Sequence, residues 1–294
     1  MHIATKRIYL GLFVLLSLAT VGWAQVSTDI EPPQPRLAAI GATVALAGDP
    51  AMAFINPAGL ITLKNPSGGF AFTKPYGVGF MNLYGAAGAY PLPKEWGVAS
   101  IAVLNSGVSY RGESLSNETA LSLAHAFYMQ RDMNTDLAFG YALKVMSQSF
   151  GMSINGTSLG SATVVGLDAG VRATLWQRTR IGMRVSNLNH PTLSGVVEHD
   201  LPTVVNAGVA YSPYRGVLTA IELERTLGQE QLLKGGVELE VDRHLDLRMG
   251  IRSNPNRIAL GFGVKNILGF RVDYTYLTHP SLPATHLFGL GYGY

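Results

Sequence analysis

The chain has 294 residues, 47% of them hydrophobic and only 14% charged, against roughly 25% charge in an average soluble domain, so an ordinary soluble surface is excluded. Glycine is raised to 34 residues with no collagen-like period, beside only 15 prolines, and the apolar content excludes disorder. There is no cysteine, which excludes a disulfide scaffold and thiolate chemistry without conflicting with export.

The first residues read as an address. Lys6 and Arg7 precede an apolar run over 8–21, and Gly22-Trp23-Ala24 places small residues before a cut ahead of Gln25, the layout of a secretory signal over 1–24. The run is shorter than the roughly 20 residues that a spanning helix needs. Removing the leader takes two cations with it, so the formal charge of +3 falls to about +1 and the pI near 9.0 implies no nucleic-acid partner. No later segment is a continuous apolar run of 18 residues, so the mature chain is not a helical membrane protein.

Residues 25–67 show no alternation. Glu31-Pro32-Pro33-Gln34-Pro35 reads as an extended polyproline-type linker. After a small, apolar stretch over 37–47, Asp49-Pro50 reads as an N-cap followed by Pro at the first helical position, opening a short helix over 51–54. Asn56-Pro57-Ala58-Gly59-Leu60 reads as a turn, with Pro57 restricting Asn56 and Gly59 permitting reversal.

From residue 68 onward the period is two. Leu233, Gly235, Val237, Leu239 and Val241 alternate with Lys234, Gly236, Glu238 and Glu240, and the pattern recurs over 245–252, 256–265 and 270–276. Breaks at turn residues give fourteen candidate strands: 68–75, 79–91, 95–105, 119–130, 134–147, 163–176, 179–187, 203–212, 215–225, 231–241, 245–252, 256–265, 267–277 and 284–294. An even count, with most segments near the roughly 9 to 11 residues that cross a bilayer, predicts a transmembrane antiparallel β-barrel over 68–294. Long joins follow the third, fifth, seventh and thirteenth candidates (106–118, 147–162, 188–202 and 278–283), while joins of the other parity are tight, as in barrels with short periplasmic turns and longer outer loops. Tyr90, Trp96, Phe127, Tyr128, Trp176, Tyr211 and Tyr214 lie near the tight turns, where an interfacial girdle belongs. The last candidate carries Phe288, Leu290, Tyr292 and Tyr294 on one face. A closing amphipathic strand that ends on an aromatic residue resembles the signal by which the barrel-assembly machinery recognises bacterial outer-membrane barrels.

The run from Gly41 to Asp49-Pro50, leading to Asn56-Pro57-Ala58-Gly59-Leu60, resembles the N-terminal signature of the FadL-like outer-membrane proteins. Asn254-Pro255, Tyr274-Thr275-Tyr276, His279-Pro280 and Thr285-His286 look more like the PorV/PorQ-type branch of that superfamily. The resemblance implies a 14-stranded barrel in the bacterial outer membrane, bounded by lipid, with residues 25–67 as a linker and plug and Asp49, Pro50, Asn56, Pro57, Ala58 and Gly59 as the plug motif. One departure is that the outer loops are short, which puts a large loop-built lipid-capture site in doubt.

If the apolar faces meet lipid, the charges face the lumen. These are Asp168, Arg172, Arg180 and Arg184, then Glu222, Glu224, Lys234, Glu238, Glu240, Asp246, Arg248, Arg252, Lys265, Arg271 and Asp273, with both signs mixed on neighbouring strands so that they can pair. On the early strands Gly85, Ala87, Gly88, Ser122, Ala124, Gly140 and Ala142 would leave room for a plug. Enzyme chemistry finds no footing. The seven histidines form no H-E-x-x-H or i, i+4 pair, no Gly-x-Ser-x-Gly elbow occurs, and Gly261-Phe262-Gly263 lies in a strand with no helix after it. No cofactor or metal is expected. Two functions follow from the resemblance: passive transport of a small hydrophobic compound past the plug, or docking of an exported protein in type IX secretion.

Overall fold

The computed structural model describes residues 32–152, 160–194 and 198–293; the leader and Tyr294 lie outside them. Two short helices come first, α1 (Pro35–Ile40) and α2 (Met52–Ile55), followed by a 3-10 helix at Pro57–Thr62. Seven long strands follow: β1 (Ser67–Lys74), β2 (Met81–Pro91), β3 (Val98–Tyr110), β4 (Glu113–Arg131), β5 (Thr135–Phe150), β6 (Ser161–Leu175) and β7 (Thr179–Ser186). A small hairpin of β8 (Thr192–Ser194) and β9 (Glu198–Asp200) interrupts the series. Then come β10 (Val204–Tyr211), β11 (Val217–Thr226), β12 (Leu232–Glu240), β13 (Leu245–Arg252), β14 (Arg257–Ile267), β15 (Phe270–Leu277) and β16 (Thr285–Tyr292).

Fourteen of these strands close a barrel. Each pairs antiparallel with its neighbours in sequence, β7 passes over the hairpin to β10, and β16 returns to β1 with Phe70 opposite Leu290. Closure leaves no unpaired sheet edge, the condition for a sheet to stand in hydrocarbon. No helix among the described residues is long and apolar enough to cross a membrane.

Alternation sorts the side chains. Ile101, Leu123, Leu167, Met183, Ile221, Met249, Leu260 and Phe288 all point outward and are exposed, forming an apolar belt of a size that soluble surfaces rarely carry. Their strand neighbours point inward, where Ala102, Ala124, Ala126, Ala138, Ala142, Ala210 and Ala220 are buried against the N-terminal segment. Tyr90, Trp96, Trp176, Tyr211 and Tyr214 are exposed at the tight-turn end. Tyr128 departs from that belt, since it packs against the lumenal core beside a bulge at Tyr128/Gln130.

Three expectations are corrected at the long-loop end and before the barrel. The join at 106–118 is almost all strand, since β3 runs to Tyr110 and β4 starts at Glu113 around an Arg111-Gly112 turn with both residues at positive φ, and the join at 147–162 is shortened at both ends, with β5 running to Phe150 and β6 starting at Ser161. Above the hydrocarbon an outward face need not be apolar, so Ser109, Ser114 and Asn117 continue the pairing without the hydrophobic period that marks a strand in lipid. The third correction is that Pro35 does not end an extended linker. It takes the first turn of α1, where its missing N–H costs nothing.

Ile221 sits at the middle of β11 with its side chain outward. Ile221→Arg is expected to destabilise the barrel in lipid by roughly 2–4 kcal/mol, measured by denaturant unfolding in vesicles, with Ile221→Leu nearly neutral.

Candidate functional site

The site is the lumen and the segment that fills it. Residues 32–63 enter the barrel as two short helices and a 3-10 turn joined by irregular chain, and Leu37, Ile40, Leu46, Met52 and Leu60 are among the most deeply buried side chains of the protein. This plug is too short and broken to satisfy its own main chain, so polar groups must come from elsewhere.

Two of its polar side chains organise it. Asn56 caps the 3-10 helix, its Oδ1 accepting from the Ala58 amide at 3.1 Å, while its Nδ2 donates to the Val44 carbonyl at 2.7 Å and to the Val171 carbonyl of β6 at 3.2 Å. One amide thus ties two parts of the plug to the wall. Asp49 is not the N-cap of α2, a position held by Ala51. Its Oδ1 accepts from the Ala51 amide at 2.8 Å in an Asx turn, and its Oδ2 accepts from Gln34 at 2.9 Å. Burial pushes the Asp49 carboxyl up from its ordinary range, against the pull of that amide. Gly59 does not supply a left-handed reversal either; a β-carbon there would press on Met52 and on the Leu46 carbonyl, so its role is close packing. Pro50 precedes α2, and Pro57 and Ala58 open the 3-10 helix.

The wall supplies the remaining partners. Ser100 donates to the Pro50 carbonyl at 3.2 Å, Ser122 to Ala53 at 3.0 Å and Thr275 to Pro35 at 2.7 Å. The Glu222 carboxylate accepts from the Thr43 and Val44 amides, the latter at 2.7 Å. Where main chain meets main chain, the wall offers glycine. A β-carbon at Gly140 would strike Ala58, one at Gly182 the Val44 carbonyl, and ones at Gly236 and Gly250 the α1 carbonyls of Ile40 and Ala39. These glycines stand in register, Gly140 opposite Gly170, Gly182 opposite Gly208 and Gly236 opposite Gly250. Gly85 also meets the plug, at Pro33, but Gly88 does not. It pairs with the outward Ile101, and a β-carbon there would come no nearer than 4.0 Å to the Ser67 carbonyl, an ordinary contact.

The charged residues of the lumenal faces gather in three groups. Asp168, only 2% exposed, is held by Lys144 at 2.9 Å, Arg184 at 2.8 Å and the Asn187 amide at 3.0 Å. Glu222, equally buried, shares Asn206 with Glu224, and Lys234 reaches Glu224 at 2.9 Å. The largest group links Arg36 of the plug by two 2.9 Å bonds to Glu238, which also accepts from Arg248 at 2.7 Å. Arg248 continues to Asp246 and Asp273, Arg271 bridges the same two carboxylates, and Lys265 joins Asp246 to Glu240. Four cations and four carboxylates are thereby balanced in a low-dielectric interior, where an unpaired charge would be costly. Arg252 lies on the same face at the long-loop end of β13, level with Lys234. Arg172 and Arg180 stand outside all three groups. Sequence spacing does not reveal Arg36, Lys144, Asn187 or Asn206 as members of these groups, because each acts through a contact made across the lumen or between strands.

Two cavities border the plug. One, of about 20 Å³, lies between Pro33, Phe54, Gly85, Ala87 and Leu104 on the side of β1 to β3 and has room for about one water-sized molecule. The other, of about 940 Å³, opens at the tight-turn end between Arg36, Arg172, Arg180, Tyr214, Arg243 and Arg271. At the opposite end Leu193 of β8 and Leu201, the residue after β9, pack on Met146 and Val164 of the wall. No group of three or more metal-ligating side chains occurs among the described residues.

No protein-family model and no curated protein matches this sequence. Solved structures do. The Pseudomonas putida toluene transporter TodX aligns with a TM-score of 0.61 at 10% identity, over 94% of this chain and 99% of that one. The Ralstonia pickettii toluene transporter TbuX gives 0.61 at 12% identity over 90% and 99%, and a Pseudomonas aeruginosa FadL homologue 0.60 at 10% over 89% and 98%. At such identities the likeness is one of fold.

Gly236→Ala is expected to displace the plug and open a protease-sensitive site within residues 32–63, whereas Gly88→Ala, on the outward face with only an ordinary contact, leaves the digestion pattern unchanged. Glu222→Ala removes the acceptor of two plug amides, at roughly 1–3 kcal/mol for each group left unpaired. Hydrogen exchange at Thr43 and Val44 should accelerate while the amides of β11 stay protected.

Proposed function

We propose that this protein lies in the bacterial outer membrane and lets small hydrophobic compounds cross passively, with residues 32–63 as the gate. The observation that carries this reading is the plug itself, a separate segment lodged in a closed barrel by hydrogen bonds and glycine contacts. The likeness in fold to channels described as toluene transporters supports it. In this reading the tight turns face the periplasm and the longer joins face outward, and the plug motif Asp49 to Gly59 sets how firmly the gate is seated. The charged residues of the three groups hold the wall and the plug in place and do not select a solute. The leader at 1–24 and the closing aromatic strand fit export followed by insertion through the barrel-assembly machinery. The PorV/PorQ-type alternative, docking of an exported protein in type IX secretion, rests on sequence motifs near the chain's end, and the likenesses to solved structures lend it no support.

Asn56→Ala removes one plug-to-wall bond and two bonds internal to the plug. In planar bilayers it is expected to raise single-channel conductance, and in cells lacking other channels to speed uptake of labelled toluene over the wild-type rate. Conductance and uptake equal to wild type would count against a gate at this segment.

A further inference from the structure

The cavity at the tight-turn end carries more positive charge than its surroundings neutralise. Glu238, Glu240 and Asp246 are the carboxylates that line it, and all three are engaged by Arg36, Arg248, Lys265 and Arg271. That leaves Arg172 and Arg180 deep in the cavity and Arg178, Arg215 and Arg243 on the turns around its mouth, where they are exposed.

Arg172 and Arg180 stand on adjacent strands. Arg172 is opposite Gly182 and Arg180 opposite Thr174, so the two share the lumenal face as diagonal neighbours two residues apart. Arg172 is 3% exposed and forms an ion pair with Asp136 at 3.7 Å, too long for a hydrogen bond, so its Nη1 has no hydrogen-bond partner. Its Nε makes a long 3.4 Å contact with the Ala45 carbonyl. Arg180 donates at 3.3 Å to the neutral Ser212 hydroxyl. Asp136 offsets one of these two charges and no carboxylate is paired with Arg180, so the face keeps a net positive charge that a bound anion balances. The planar forks of the two arginines suit the paired oxygens of an oxoanion. The three arginines at the mouth add a field that draws anions in, focused by the low-dielectric walls.

We propose that this cavity is a phosphate-binding site, with Arg172 and Arg180 holding the phosphate group and Arg178, Arg215 and Arg243 steering it inward. The phosphate is either free in solution or carried on a lipid headgroup. The proposal goes beyond the passage of hydrophobic compounds, and binding is read without any solute crossing the barrel.

The test is calorimetric titration of inorganic phosphate into the full-length mature protein, delipidated in a neutral detergent at low ionic strength. One saturable site per barrel is expected, weakening as sodium chloride is raised. Arg180→Gln should weaken it at least tenfold and Arg180→Lys by less, since the charge stays and the fork is lost. Arg131→Gln, at the same end but outside the cavity, should leave it unchanged. Each variant is first checked for a closed barrel by its β-sheet circular dichroism. Native mass spectrometry of the gently extracted protein then separates the sources. A phospholipid adduct that phosphate displaces and Arg180→Gln lacks assigns the site to a headgroup, and its absence beside intact phosphate binding assigns it to the free ion. Absence of saturable phosphate binding in the delipidated wild type, or wild-type affinity in a folded Arg180→Gln, overturns the proposal.

Discussion

An irregular segment placed inside a barrel has nowhere to send its main-chain hydrogen bonds except to the wall, and this constraint organises the lumen. A helix could satisfy itself and a strand could join the sheet. Residues 32–63 do neither for half of their length, and the rest is in helices too short to satisfy their own ends; each buried amide or carbonyl left unpaired would cost about 1–3 kcal/mol. The wall answers with small hydroxyls where the plug presents carbonyls, as at Ser100, Ser122 and Thr275, and with a carboxylate where it presents two successive amides, as at Glu222. Asn56 works in the other direction, reaching from the plug to the Val171 carbonyl.

The same constraint accounts for the glycines. Two main chains can approach within hydrogen-bonding or van der Waals distance only where no side chain intervenes, so inward positions level with the plug lose theirs. Gly140, Gly182, Gly236 and Gly250 sit at such approaches. A glycine in a strand interior weakens the strand, and the antiparallel ladder on both sides offsets that loss. The outward positions of the same strands carry Tyr141, Met183 and Ile251, so one strand serves lipid and plug through alternate residues.

The barrel was legible in the sequence because hydrocarbon imposes the period of two: β7, β10 and β13 are bounded almost where turn residues and alternation put them, and the closing strand shows its apolar face at Phe288, Leu290 and Tyr292. Legibility fails where that pressure ends. The tall rim of β3 to β6 continues with serine and asparagine outward, and period two there has no apolar half to reveal it. Inside, a glycine opposite a plug carbonyl looks like any other glycine of a polar face, so the contacts of Gly236 and Gly250 with α1 have no local signal. Asp49 and Asn56 were visible as turn residues, yet their partners Gln34, Val44 and Val171 depend on the fold of the whole plug. Arg36 and Glu238 are 202 positions apart, a separation that no spacing rule spans.

The plug is also held unequally around its circumference. On the side of β11 to β15 it is fastened by the bidentate Arg36–Glu238 pair, by Glu222 and by Thr275. Removing one partner of such a buried ion pair strands the other charge, at about 3–5 kcal/mol, and Glu238 is itself locked to Arg248 and through it to Asp246 and Asp273. On the side of β1 to β3 the contacts with the wall around the cavity of about 20 Å³ are apolar, at Pro33, Phe54 and Leu104, beside the Ser100 hydroxyl; the polar groups that also border it, Gln34 and Asp49, are bonded to each other within the plug. Apolar contacts of this kind can be remade with any apolar body that takes their place, whereas a buried charge accepts only another charge or water. Under the proposed gating function, room for a hydrophobic molecule is made at least cost along β1 to β3, the side that no ion pair ties to the plug, while Arg36 and Glu222 keep the opposite side fastened.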